Sequence, residues 1–313
     1  MRPLRFWLLA IGTILVGVVL TRLFANQYYY FAAYVVLQYV VLATAWNILG
    51  GYTGYVNFGS AGFFALGAYS SVVLVKLFAL PLAVLIVAGG VVSGLVGLAT
   101  GYLTLRLRGV FFAIATLALS IVLQTFVINW DFVGGARGVY TMRPQTTYFH
   151  NYIEVLFIAM LVLVVIATST ARFIERSWIG RGLAAIRDNE QAASCSGVPT
   201  LRLKLFATTT SGALMGAAGA PFPYYVTYLD PNSGFSLAYA INSIAMPMIG
   251  GTTSWLGPVI GAVLLGTAQQ VATVTISSAT NLLIVGILLV GFVILAPEGI
   301  VGLVRKLARR KRA

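Results

Sequence analysis

Apolar residues run along this chain in blocks of about twenty, and within the blocks polarity does not alternate. Residues 6–20 and 152–167 hold a single charge between them, Glu154. Strands of an outer-membrane barrel alternate with period two, so these runs predict helical spans instead. Ten segments follow: 6–25, 28–49, 58–79, 81–105, 109–129, 152–171, 204–226, 237–256, 258–277 and 281–303. Arg2 and Arg5 precede the first, which lacks an A-x-A cleavage site and reads as a retained signal anchor. Segment 3 begins amid glycines, and segment 8 carries Pro247 and ends at Gly250-Gly251. Either is open to being a broken or re-entrant helix, which is tolerated where protein surrounds it.

Composition excludes a soluble fold. Of 313 residues, 59% are apolar and only 9% charged, against about 25% charged in globular domains; mean hydropathy is +0.94. The expected class is an all-α polytopic membrane protein, a single transmembrane domain over 1–313. Net charge is +13, and its placement gives orientation. With a cytoplasmic N-terminus and alternating spans, sixteen of the twenty Lys and Arg fall inside, the positive-inside pattern. Both termini are then cytoplasmic, loop 130–151 is external, loop 172–203 is cytoplasmic, and the basic tail 304–313 faces anionic lipid. Cys195 is the sole cysteine and His150 the sole histidine, so neither an intrachain disulfide nor a His/Cys metal cluster is available.

The absent chemistry narrows the function. All seven acids (Asp131, Glu154, Glu175, Asp188, Glu190, Asp230 and Glu298) lie in loops or near span ends. Proton coupling normally needs a buried ionisable group, whereas sodium coupling through carbonyls and hydroxyls does not. No hydrolase constellation is visible and no P-loop motif is present, so ATP energy would come from a partner. Glycines at four-residue spacing (Gly90/Gly94, Gly97/Gly101, Gly212/Gly216 and Gly257/Gly261) predict close helix packing, within the subunit or against a second one.

Loop 172–203 is expected to hold one or two short helices. Ser177 can cap a helix from Trp178; Leu183, Ile186 and Ala193 give it an apolar side; Gly197 suits its end; and Thr200 can cap the next span. Such a helix either lies on lipid headgroups or seats in a groove of a partner. The small pair Ala192-Ala193 favours the groove, with Arg187 and Glu190 pairing with charges on its rim. A tryptophan at 193 should then block docking and spare folding.

At this loop the chain resembles the LivM-like branched-chain amino acid permeases of ATP-binding-cassette importers. Residues 179–190, IGRGLAAIRDNE, are similar to that family's IGRA-x-x-AIRDNE run, and Glu190-x-Ala192-Ala193-x-x-x-Gly197 to its EAA-type coupling loop. Residues 47–69, 105–117, 250–258 and 296–299 resemble its other blocks, in order. The resemblance implies ATPase coupling through Gly180, Arg181, Arg187, Asp188, Glu190, Ala192, Ala193 and Gly197. It implies as partners a second, LivH-like permease, two cytoplasmic ABC ATPases and an extracytoplasmic binding protein, in a prokaryotic inner membrane. No cofactor would be bound by this chain, ATP and Mg remaining on the ATPases, and it would catalyse nothing. A stand-alone carrier or channel, or a same-family permease for urea or short amides, is the alternative.

A zwitterionic solute needs polar groups along its path. Thr116, Ser120 and Gln124 share one face of span 5 at four-residue spacing. Asn47, Asn57 and Ser60 flank the glycine-rich stretch and are further pathway candidates. On span 9, Gln269, Thr273 and Ser277 form a similar stripe, read as interhelical hydrogen bonding.

Overall fold

The computed structural model describes residues 3–23, 26–78, 80–104, 107, 109–144, 151–275, 286–287, 291 and 299–310. Helices dominate: α1 (Pro3–Leu23), α2 (Gln27–Thr53), α3 (Ser60–Phe78), α4 (Leu82–Thr104), α5 (Val110–Ile128), α6 (Tyr152–Arg176), α7 (Trp178–Cys195), α8 (Thr200–Gly219), α9 (Phe222–Val226), α10 (Pro231–Gly234), α11 (Leu237–Gly250), α12 (Leu256–Thr275) and a terminal helix Gly299–Arg310. Among the described residues, six helices are long and apolar enough to cross a membrane: α2, α3, α4, α5, α6 and α12.

The core forms around α2 and α8. From Val40 to Thr53 every residue of α2 is buried, beneath α6, α8, α11 and α12. Helix α8 is less apolar than its neighbours, yet most of it is buried. Being shielded by protein, it needs no lipid-compatible surface. The glycine pairs of spans 4 and 7 face each other inside the chain. A β-carbon on Gly216 would overlap Ser93 of α4, and one on Gly67 of α3 would overlap the Gly216 carbonyl. The backbones of α3, α4 and α8 therefore touch with nothing between them, the close approach that small residues permit. Gly257 and Gly261 do the same for α11 on α12.

Two segments depart from the expected spans. Segment 7 is divided: α8 stops at Gly219, because Pro221 and Pro223 lack the amides a continuing helix would use, and α9 follows as a short piece. Segment 8 is a helix of only 14 residues, carrying Pro247 in its last turn and ending at Gly251, φ 113°. Segment 3, by contrast, is a full-length helix. Most of segment 10 lies outside the described residues.

Loop 130–151 includes two short 3-10 turns and a strand, β1 (Val139–Tyr140), which pairs antiparallel with β2 (Tyr228–Leu229). Arg143 anchors this loop, donating to the carbonyls of Tyr224 and Tyr225 at 2.7 Å each. Its guanidinium stacks 5.3 Å from the Phe31 ring centroid, and burial holds its pKa below the ordinary arginine value.

Candidate coupling segment and polar helix faces

Helix α7 starts where expected: Ser177 Oγ accepts from the Gly180 amide. A β-carbon at Gly180 would overlap the Ile174 carbonyl, so this tight exit from α6 requires glycine. The helix is two pieces. Asn189 is extended (φ −161°, ψ 108°), and its Oδ1 accepts from the Gln191 and Ala192 amides at 3.0 Å, starting a second short helix. That piece ends at Gly197, φ 81°, with the Val198 amide donating to the Ala193 carbonyl. Thr200 does not cap α8. Pro199 holds that position, and no side chain supplies a cap bond.

Leu183, Ile186 and Ala193 are buried, while Arg181, Arg187, Asp188, Gln191 and Ala192 are exposed. Two expectations are thereby corrected. Ala193 retains 5% exposure and faces inward, so of the alanine pair only Ala192 is on the surface. Glu190 also turns inward, toward α8 and the segment that follows α2. Its Oε1 lies 2.7 Å from Lys204 Nζ, and its Oε2 accepts from the Tyr55 hydroxyl. Lys204 Nζ lies 3.2 Å from that hydroxyl and 4.8 Å from the Tyr55 ring centroid. Arg187 points the same way: its guanidinium donates to the Gly51 carbonyl at 3.4 Å, beside Gly54, where α2 ends in a left-handed turn (φ 79°). It also approaches Asp188 at 3.5 Å.

Tyr55 belongs to the extended link 54–58 between α2 and α3. Asn57 is buried and hydrogen-bonded there. Its Oδ1 accepts from the Gly59 amide at 2.7 Å, and its carbonyl accepts from Trp46 Nε1 and Ser60 Oγ. Thr116 Oγ1 accepts from the Phe58 amide at 3.1 Å and donates to the Ala113 carbonyl. Ser120 is buried against Gly62 of α3, and Gln124 donates to Asn232 at 3.1 Å. The span 5 stripe is thus one face, as expected, and in this conformation it packs against α3 and α10. Asn47 is fully buried on α2, beside Tyr52. On α12, Gln269 donates to Asn242 at 2.9 Å and Asn242 to Tyr39 at 3.2 Å, tying α12, α11 and α2. Thr273 bonds its own helix, and Ser277 lies outside the described residues.

Residues 28–293 match the family model described as branched-chain amino acid transport system / permease component. The chain belongs to this permease family. It is 27% identical over 293 residues to the high-affinity branched-chain amino acid transport system permease protein LivM of Salmonella typhimurium, covering 85% of this chain and 68% of that one. It is 26% identical to the LivM of Escherichia coli over the same shares. A probable LivH permease of Methanocaldococcus jannaschii is also 26% identical, over 82% of this chain and 86% of that one. No solved structure matches.

The match to the permease family begins with α2, so α1 stands outside it. Sequence reasoning missed Tyr55, Asn242 and Tyr39. Each is an ordinary residue of an apolar or link segment, and only the fold brings it to a polar partner. Lys204 was legible as a basic residue at the head of a span, but its burial was not.

Proposed function

We propose that this permease forms half of the membrane path of an ATP-driven importer for branched-chain amino acids, or related small polar ones. It pairs with a second, LivH-like permease, couples to two cytoplasmic ABC ATPases and receives solute from an extracytoplasmic binding protein. The printed names of its relatives support the substrate class and the pairing. The observation that carries the reading is α7, a bent helix pair with a polar exposed face and a side anchored on the bundle. That arrangement suits a lever better than a lipid-lying helix, whose apolar side would face outward.

In this reading the chain has ten spans in a prokaryotic inner membrane, with α7 and both termini cytoplasmic and the β1–β2 pad external. ATPase closure moves α7 through Arg181, Asp188, Gln191 and Ala192, and the helices alternate access. The face of Thr116, Ser120 and Gln124 meets solute when α5 parts from α3. Helix α5 is suited to this because only four of its residues are buried, Phe112, Thr116, Ser120 and Val127. ATP and Mg stay on the partner ATPases, and this chain makes and breaks no bonds.

The test is to purify the tagged chain from its native membrane and reconstitute what comes with it. Co-purification of an ABC ATPase and a second permease, with leucine uptake that needs ATP and a binding protein, is expected. Ion-gradient-driven uptake by this chain alone would overturn the proposal.

A further inference from the structure

Two charges are drawn out of solvent where α7 meets the bundle. The Lys204 side chain is 4% exposed and that of Glu190 17%. Burying an ion pair carries a desolvation penalty that its attraction need not repay, so such a pair is weak evidence for stability alone. The position of this pair suggests another use. Glu190 is the first residue after the break at Asn189. Lys204 is in the first turns of α8. Tyr55, which bonds both, sits in the link between α2 and α3. Its ring meets Phe112 of α5 edge-on at 5.1 Å, and three residues further on the same link is bonded to Thr116 of α5. One carboxylate therefore joins the far half of α7 to α8 and, through Tyr55, to the point from which α3 and α5 hang.

We infer that Glu190, Lys204 and Tyr55 form an internal transmission joint, by which displacement of α7 reaches the α2–α3 link and α5. Glu190 is thus a positioning residue inside this chain and makes no contact with the ATPase. The inference rests on the importer reading and adds to it the route of coupling. A helix that merely docked could swing at Asn189 and leave the bundle still. The joint removes that freedom, because the piece beyond the hinge is held at its first residue.

Single substitutions of Glu190 or Lys204 are poor tests, since removing one charge strands the other and strongly destabilises the region. The apolar double variant Glu190→Leu/Lys204→Met removes both charges and keeps the volume, a change that buried pairs commonly tolerate. It is compared with Tyr55→Phe, which keeps the ring and removes the bridging hydroxyl, and with the swap Glu190→Lys/Lys204→Glu. All are measured in the reconstituted complex with its ATPases and binding protein, as leucine taken up per ATP hydrolysed at equal complex yield. The expected result for the double variant is normal ATPase recovery and hydrolysis, with uptake per ATP lowered about ten-fold. Tyr55→Phe should fall part of the way, and the swap should recover uptake above the double variant. A purely structural pair would lower yield and leave the ratio unchanged. A wild-type ratio in the double variant and in Tyr55→Phe overturns the joint. So does loss of ATPase recovery in the double variant at normal permease yield, because Glu190 would then be a docking residue. Failure of the importer reading looks different: the wild-type complex itself would show no ATP-dependent uptake.

Discussion

The alanine pair on α7 offers the sharpest test of how the loop is oriented. Ala193 belongs to the buried cluster that includes Leu183, Ile186 and Leu203 and retains 5% of its surface. Its carbonyl also receives the Val198 amide that closes the helix. Tryptophan there must displace its neighbours, at about 1–3 kcal/mol for overpacking a filled core. At about 2–4 °C per kcal/mol, melting falls by roughly 2–12 °C. Ala192 is exposed one position away, and tryptophan there should stay within about 0.5 kcal/mol of wild type. The two variants should therefore separate two properties. Ala193→Trp lowers the melting temperature of the detergent-purified permease, read as monodisperse protein remaining after heating. Ala192→Trp melts normally but recovers less ATPase, because bulk has been added to the docking face. If Ala193→Trp melts like wild type and Ala192→Trp is the unstable one, the assigned orientation of α7 is reversed. If Ala192→Trp folds and recovers ATPase normally, the exposed side of α7 is not where the ATPase binds.

Further outcomes follow from particular contacts. Cys195 is exposed on α7, which is proposed to be cytoplasmic, so an impermeant maleimide should leave the wild-type protein unlabelled in intact cells. It should label Met142→Cys in a Cys195→Ser background, since Met142 is 90% exposed in the loop proposed to be external; labelling of both from one side refutes the topology. A β-carbon on Gly62 would stand 3.3 Å from Ser120 Cβ, close to disulfide range, so oxidised Gly62→Cys/Ser120→Cys should stop uptake until reduced. Unchanged uptake by the oxidised form returns the span 5 stripe to packing. Arg143→Ala loses two charge-assisted bonds, each worth about 1.5–3 kcal/mol, and should speed proteolysis of loop 130–151 in the purified protein, with an unaltered cleavage rate counting against the anchor. Gln269→Leu should cost only about 0.6 kcal/mol for one membrane hydrogen bond, and a melting loss beyond a few degrees would assign Gln269 a larger role.

Apolar run length made the long helices legible, because lipid selects apolar residues along any helix it touches. It failed where protein replaces lipid. Helix α8 is shielded, so its Thr and Ser residues carry no penalty and its end at Gly219 is masked by the apolar residues beyond. The short α11 was readable as irregular from Pro247 and the double glycine, though not its length. The β1–β2 pair escaped notice because two-residue strands leave no periodic trace. Within α7 the capping residues Ser177 and Gly197 were legible from local chemistry, which needs only neighbours in sequence. The direction of Glu190 was not. A carboxylate in a polar loop reads as solvent-facing until its partners, 14 and 135 residues away, are placed beside it.

The closeness of Glu190 and Lys204 along the chain bears on how the protein is made. Tyr55 is synthesised first, then Glu190, and Lys204 only 14 residues later. A lone lysine entering a membrane helix carries an insertion cost of about 2.5–3.5 kcal/mol at the helix centre and less near an end. In the ten-span reading, the nascent chain already contains its counter-ion when α8 reaches the bilayer, so the two charges can be delivered as a neutral unit. Cutting the gene between these residues and expressing the halves as separate chains would part them. Helix α8 would then be presented with a bare ammonium group, and its weak apolar character would have to drive insertion unaided.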